Sequence, residues 1–371
     1  MAPATNSPGW GNTLVVRWFQ HLILAPIFAG LLVSVAVGKY GGGSGAPDDP
    51  YLIRTAEDLD LLGGSQDDWG KSFRLTADID LKDYSETNFH LIGSWVSWGD
   101  ITNRPFNGIF DGDGHTVSNF HYRDMKQNGI GLFRYVNVGE IKNLQLKNVK
   151  IVTDGVGIGS LVAYFGGGAV VDCHVTGADV TGNTQVGGLV GIADGIVSQC
   201  SSRGRVTGGL HVGGLIGEVD QGTIKKSYSK ASVSGNDSVG GLVGIAANVA
   251  SVVDSCYANG SVNGGMYAGG LVGHLAAGRV YKCYSTGAVS GSQAVGGLVG
   301  SMRALGEVIV SFWDTQTSGQ TASAAGMPRT TAEMWSASTF TGWDFDVPPC
   351  GTTLSPKGAR AMNLKSSASL L

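Results

Sequence analysis

The string Val186-Gly187-Gly188-Leu189-Val190-Gly191 returns unchanged at Val239–Gly244 and Val295–Gly300, with near-copies at Val212–Gly217 and Ala268–Gly273. Taking its Leu as a marker, and adding weaker echoes at Leu132 and Leu161, the positions are 132, 161, 189, 215, 242, 271 and 298. The steps between them are 29, 28, 26, 27, 29 and 27 residues. A fixed period of this size belongs to stacked supersecondary units, each burying its apolar face only against its neighbours. The structural positions of the repeat are therefore Gly187, Gly188 and Leu189; Gly213, Gly214 and Leu215; Gly240, Gly241 and Leu242; Gly269, Gly270 and Leu271; and Gly296, Gly297 and Leu298.

Other columns keep the same register. A β-branched column holds Val170, Val197, Ile224, Val253 and Val280, and three residues on stand Cys173, Cys200, Ser227, Cys256 and Cys283. A third column, Val180, Val206, Val233, Val262 and Val289, is followed each time by Thr-Gly, Ser-Gly or Asn-Gly, a turn signature. The segments between turns are short and rich in Val and Ile, which suits strands and not helices. About 27 residues accommodates three short strands and three corners, one circuit of a parallel β-helix; leucine-rich repeats lack their Leu-x-x-Leu-x-Leu signature here, and WD-type blades are longer. The paired glycines are expected to form one corner by taking positive φ, throwing the following Leu inward. Equivalent residues then stack at the inter-strand spacing.

Composition narrows the function. Sixty Gly with only 10 Pro and no Gly-X-Y period exclude collagen, and a net charge of −4 offers no basic field for nucleic acid. Leu22 to Val37 is an uncharged apolar run of 16 residues preceded by Arg17 and ending near Ser34-Val35-Ala36, which reads as a signal peptide or an N-terminal anchor. An extracellular or cell-surface location follows, with membrane contact only through this segment if it is retained. Five cysteines, four of them in the repeat, do not form a disulfide framework. Stacked in register, their Cβ vectors run parallel, so buried thiols are expected; Cys350 stands apart.

The expected organisation is a targeting segment over 1–38, a Gly-rich linker over 39–46, an N-terminal cap with first coils over 47–125, the repeat over 126–310, a C-terminal cap over 311–348 and a disordered tail over 349–371. Thr55-Ala56-Glu57-Asp58 opens a capping helix. Lys71–Leu81 alternates like a strand, and Phe106–Val117 reads as two strands around a Gly-Asp-Gly turn. A second capping helix is expected over Thr330–Thr339.

These strings resemble the GLUG motif family, as do Asp49–Ile53, Leu75–Leu81, Phe110–Thr116, Phe312-Trp313-Asp314 and Thr331–Met334, so that the likeness covers roughly residues 47 to 345. The resemblance implies a right-handed parallel β-helix in exported bacterial proteins, including adhesin-like ones; some IgA-specific metallopeptidases carry the motif as an accessory region. None of the seven histidines here is followed by Glu, so the peptidase's His-Glu-x-x-His zinc site is missing. The chain also departs from similar proteins after Gly342-Trp343-Asp344-Phe345, where they close with a further strand.

No cofactor or metal is implied. The acidic positions of the repeat, Asp172, Asp179, Asp194, Glu218, Asp220, Asp237 and Asp254, read as scattered and not as one column. Asp111 and Asp113 fit a Gly-rich turn better than a calcium pair, and His115 fits a structural hydrogen-bonder. One feature suits binding: Tyr228, Tyr257 and Tyr284 follow the Cys/Ser column on successive coils, and alternation turns them outward. Such a ridge would meet a surface glycan or a protein partner, or would simply be a ladder stabilising the sheet. The reading is thus a non-catalytic surface scaffold for adhesion, against a carbohydrate-active enzyme or a subunit that associates end to end.

Overall fold

The computed structural model describes residues 39–343 apart from Ser85 and Trp98, so the apolar N-terminal run, Cys350 and the tail lie outside the described residues. The chain is a parallel β-helix. Val186 pairs with Val212, Val212 with Val239, Val239 with Ala268 and Ala268 with Val295, all in parallel register. Each circuit repeats one pattern, seen in Thr184–Gly187, Val190–Ala193, Ile196–Ser198 and Ser201–Thr207. The marker leucines from Leu132 to Leu298 are completely buried, as are Val170, Val197, Ile224, Val253 and Val280.

The Gly-Gly-Leu string is a corner, but not for the expected reason. Neither glycine of the pair has positive φ. Each is needed because backbone occupies the place of a side chain. A Cβ on Gly187 would overlap the Val190 carbonyl of its own coil, and one on Gly188 would overlap the Gly214 carbonyl of the next. A Cβ on Gly191, the third glycine of the string, would stand 2.6 Å from the Ala163 carbonyl of the preceding coil. Hydroxyls from inside the coil satisfy some of the corner carbonyls: Ser202 Oγ donates to Gly214 O, and Ser285 Oγ to Gly297 O at 2.7 Å.

Positive φ falls elsewhere, on two columns of non-glycine residues. Gln185, His211, Ser238, Tyr267 and Ala294 immediately precede the string, and Asp172, Gln199, Lys226, Ser255 and Lys282 immediately precede the Cys/Ser column. Most of these side chains are polar, and all but Ser238 are at least partly exposed where the chain turns.

The four cysteines of the repeat are free and buried. Cys256 Sγ donates to Asp254 O at 3.2 Å, and Ser227 Oγ makes the equivalent bond to Lys225 O at 2.8 Å, so the serine substitutes without breaking the ladder. Burial pushes the Cys173 and Cys283 thiols up, away from the reactive thiolate.

The caps differ in detail from expectation. Helix α1 (Ala56–Gly64) has Thr55 as N-cap in a capping box with Asp58, and buries Leu59 and Leu62. The stretch expected as a linker is folded: Gly41 N donates to Leu52 O and Leu52 N to Gly42 O, sealing the first strand, while Tyr40 donates to Asp68 at 2.6 Å. Its glycines allow that close approach to the strand. Lys71–Leu81 breaks into Ser72–Leu75 and Ile79–Asp80. Ile109–Asp111 and Thr116–Ser118 do not pair with each other; both pair in parallel with Glu140–Lys147, so Gly-Asp-Gly is a coil corner. The C-terminal helix is short, α3 (Thr331–Met334), followed by a separate 3-10 turn Ala337–Phe340.

Three substitutions test this account by thermal unfolding. Leu242→Asp places a charge in a continuous core and should abolish the cooperative melt of the central coils, a cost above about 4 kcal/mol; an unchanged melt would reverse the inward assignment. Gly240→Ala, whose Cβ would overlap the Val243 carbonyl, should be comparably damaging. Gly64→Ala, in open space at the end of a helix, should instead be neutral or stabilise by up to about 1 kcal/mol.

Candidate functional site

Two outward-facing features follow from the stacked register. The first is the aromatic ladder. Tyr228, Tyr257 and Tyr284 are in register, and Phe312 continues the column. Ring centroids are 4.8 Å apart between Tyr228 and Tyr257 and 5.0 Å between Tyr257 and Tyr284, with interplanar angles of 5° and 6°. The rings therefore cover each other's faces. Tyr257 is only 5% exposed, and its hydroxyl has no hydrogen-bond partner among the described residues. Tyr284 and Phe312 lie under Phe340 and Trp343 of the C-terminal cap. Tyr228, with Lys230 Nζ 5.3 Å from its ring centre, is the partly exposed end.

The second feature lies on another face. Tyr135, Tyr164, Ile192, Glu218, Ile245, His274 and Ser301 form one column. Left-handed residues lean against it from seven positions earlier: His211 Nδ1 is 2.9 Å from Glu218 Oε2, and Tyr267 stacks on His274 with centroids 5.0 Å apart. At the equivalent place in an earlier coil Gly157, at φ 73°, makes room for Tyr164, whose ring stacks 3.9 Å from Trp95.

The acidic residues are less scattered than their sequence suggests. Ala193 pairs with Val219, which stacks the following Asp194 and Asp220 on consecutive coils. Both stand five residues after their marker leucines, Leu189 and Leu215, a signal present in the sequence but passed over. With Gln185, Ile192, Glu218 and Gln221 they line a pocket of about 350 Å³. Burial, then the Asp220 and Glu218 carboxylates, pushes the Asp194 carboxyl up to about 6. Burial also opposes ionisation of Glu218, but hydrogen bonds from His211 and from Gln185 at 2.8 Å outweigh it and hold that carboxyl below the ordinary range. Burial lowers the His274 imidazole, whose Nδ1 has no partner among the described residues.

The other sequence candidates are built into turns. Asp111 Oδ1 accepts from Asp113 N at 2.9 Å and Asn143 Nδ2 at 3.0 Å, and His115 Nδ1 lies 3.2 Å from Asp78 Oδ1.

The Asp194 carboxyl ties stability to pH. Its folded value of about 6 lies above its ordinary 3.8, so the folded chain holds a proton that the unfolded chain has released. That contribution is complete below about pH 4 and is lost as pH rises through about 6. Asp194→Asn should flatten this fall and raise stability at pH 7 by about 1 kcal/mol, after allowance for solvent screening. Denaturant midpoints from pH 4 to 7 check it; parallel curves for variant and parent would refute it.

A Haloquadratum walsbyi protein named halomucin is 36% identical over 155 residues, which is 41% of this chain and 2% of halomucin. An Evansella cellulosilytica protein, provisionally named a Gly-rich membrane protein, is 34% identical over 117 residues, 31% of this chain and 13% of that one. The chain thus spans a small part of the length of these relatives. The crystal structure of a Bacteroides ovatus protein, provisionally named an immunoglobulin A1 protease, aligns over 80% of this chain and 89% of its own, with 21% identity and a TM-score of 0.49. The GLUG motif itself is matched at residues 182–207 and 264–290. The chain therefore carries the GLUG motif in two regions, and the motif's string recurs in the coils between and around them.

Proposed function

We propose that this chain is a non-catalytic β-helical scaffold of the cell surface, holding lateral faces for adhesion to a glycan or protein partner. The observation that carries this reading is the division between columns. Inward positions repeat almost unchanged, whereas the outer column varies through Tyr164, Ile192, Glu218, Ile245 and His274, with Glu218 and Ile245 partly exposed and the other three covered by their neighbours. A solenoid whose core is uniform and whose surface varies keeps its shape constant and leaves recognition to exposed side chains. Relatives named as a halomucin and a membrane protein support the surface location. Within this reading the tyrosine ladder is chiefly a spine fastening the C-terminal cap, because stacking engages its ring faces, and a partner meets it at Tyr228.

Glycan-array and cell-surface binding by the full chain test the proposal. Tyr228→Ala should weaken binding about tenfold, or about 1.4 kcal/mol, without lowering the melting temperature. Tyr257→Ala should instead cost about 3 kcal/mol of stability. Failure to bind any surface polymer or protein would remove the adhesion role.

A second reading, a carbohydrate-active enzyme, draws on Asp194. A carboxyl holding its proton near pH 6 beside an in-register carboxylate is the pairing used in acid–base cleavage of glycosidic bonds. New reducing or unsaturated ends from a polysaccharide, lost in Asp194→Asn, would favour it over the scaffold.

A further inference from the structure

The two ends of the β-helix are finished differently. At the N-terminal end the first strand, Tyr51–Ile53, is covered by backbone bonds to Gly41 and Gly42, and α1 with its buried leucines lies over the core. At the other end the strand Val299–Ile309 pairs on one side with Val272–Tyr281, and among the described residues no strand pairs with its outer edge. The C-terminal segment reaches only the start of this strand, where Ala324 N donates to Val299 O. Beyond that point Met302 is 38% and Leu305 68% exposed. The register with the preceding coil slips by one residue before Leu305, between Leu275 and Ala277, which accommodates an extra residue at this point of the edge.

An edge of this kind offers a row of free N–H and C=O groups to another strand. The closed first strand at the N-terminal end cannot supply that strand. The same edge in another copy can. Set antiparallel about a two-fold axis at Leu305, the edge is complementary to itself: Leu305 meets Leu305, Arg303 lies opposite Glu307, and Glu307 opposite Arg303. Glu307 already lies 3.0 Å from Arg279 of the preceding coil, at a partly exposed site that the second Arg would extend.

We propose that two copies of this chain associate through their C-terminal edges, residues 303–307 pairing antiparallel about Leu305, so that assembly closes at a dimer and does not propagate as a filament. The partner is a second copy, and the contact is a mixed ladder with one apolar and two ionic pairs.

Sedimentation of the full chain, kept in mild detergent for its apolar N-terminal run, tests this directly. A monomer–dimer equilibrium is expected. Arg303→Glu and Glu307→Arg should each weaken it about tenfold (about 1.4 kcal/mol), and the double exchange should restore it. Since Glu307→Arg also removes the bond to Arg279, circular dichroism must show each variant folded. An independent measurement avoids that risk: in a Cys350→Ser background, Leu305→Cys should form an intermolecular disulfide under a mild oxidant, whereas Ala294→Cys should not. A chain that stays monomeric, a dimer unaffected by both exchanges, or a double exchange that fails to restore association would overturn the proposal. So would a dimer that survives Leu305→Lys but disappears on removal of residues 1–38, or one that appears only when residues 346–371 are deleted, which would assign the edge to the chain's own tail.

Discussion

The structure depends on how closely backbones approach at the Gly-Gly-Leu corner. The three glycines of a string face three different neighbours, the carbonyl of their own coil, the backbone of the next and the backbone of the one before, except that Gly297 of the last string faces the Trp313 ring. A single methyl group at any of the others would push backbone away from backbone, and a backbone, unlike a long side chain, cannot swing aside. This locks the coils in register, and from the register the other columns follow. The marker Leu goes inward because the corner leaves it nowhere else to go, and the Val column, the Cys/Ser column and the aromatic ladder inherit the same alignment.

That constraint also decides where the chain bends in the left-handed sense. The glycines serve close approach, so positive φ falls on residues that carry side chains, among them Gln185, His211 and Tyr267. A left-handed residue at a corner throws its side chain outward, back over the following strand. His211 meets Glu218, and Tyr267 meets His274, at the same spacing of seven residues. The polar character of the outward face is therefore a by-product of turning a β-helix without spending glycine on the turns. The acidic pocket beside it arises similarly, since register stacks Asp194 over Asp220 whether or not the pairing is electrostatically comfortable.

Much of this could be read from the sequence because a repeat states its own alignment. The period, the inward Leu and Val columns, the buried thiols, the first cap helix and the in-register tyrosines all follow from spacing and residue type. What was not legible has definite physical causes. Positive φ and close approach both select glycine, so a glycine pair alone does not tell which of them operates. The Gly-rich stretch at 39–46 looks flexible by composition, yet its glycines let backbone lie against Leu52. Gly-Asp-Gly at 112–114 looks like a hairpin, but hairpin and coil corner use the same turn chemistry and differ only in which strands lie beside them. Asp194 and Asp220 stand at equal distance from their marker leucines, but the other coils carry no acid at that position, and two members alone do not mark a column.

The tyrosine ladder shows how such a scaffold joins stability to function. In a solenoid each coil contacts only its neighbours, so the ends are the weakest points and a local fastening there protects everything behind it. Tyr228, Tyr257, Tyr284 and Phe312 continue one column into Phe340 and Trp343, carrying aromatic contact from the regular coils into the irregular cap. The same stacking removes ring faces from solvent, so a residue type that favours sugar contact is largely consumed by structure. The proposed recognition falls to partly exposed positions that the register fixes in space but the core does not constrain in identity: Glu218 and Ile245 of the outer column, the left-handed corner residues beside it, and the end of the ladder at Tyr228. A β-helix built in this way can change what it meets without changing how it folds, because the residues that hold the coils together and the residues that face outward occupy different columns.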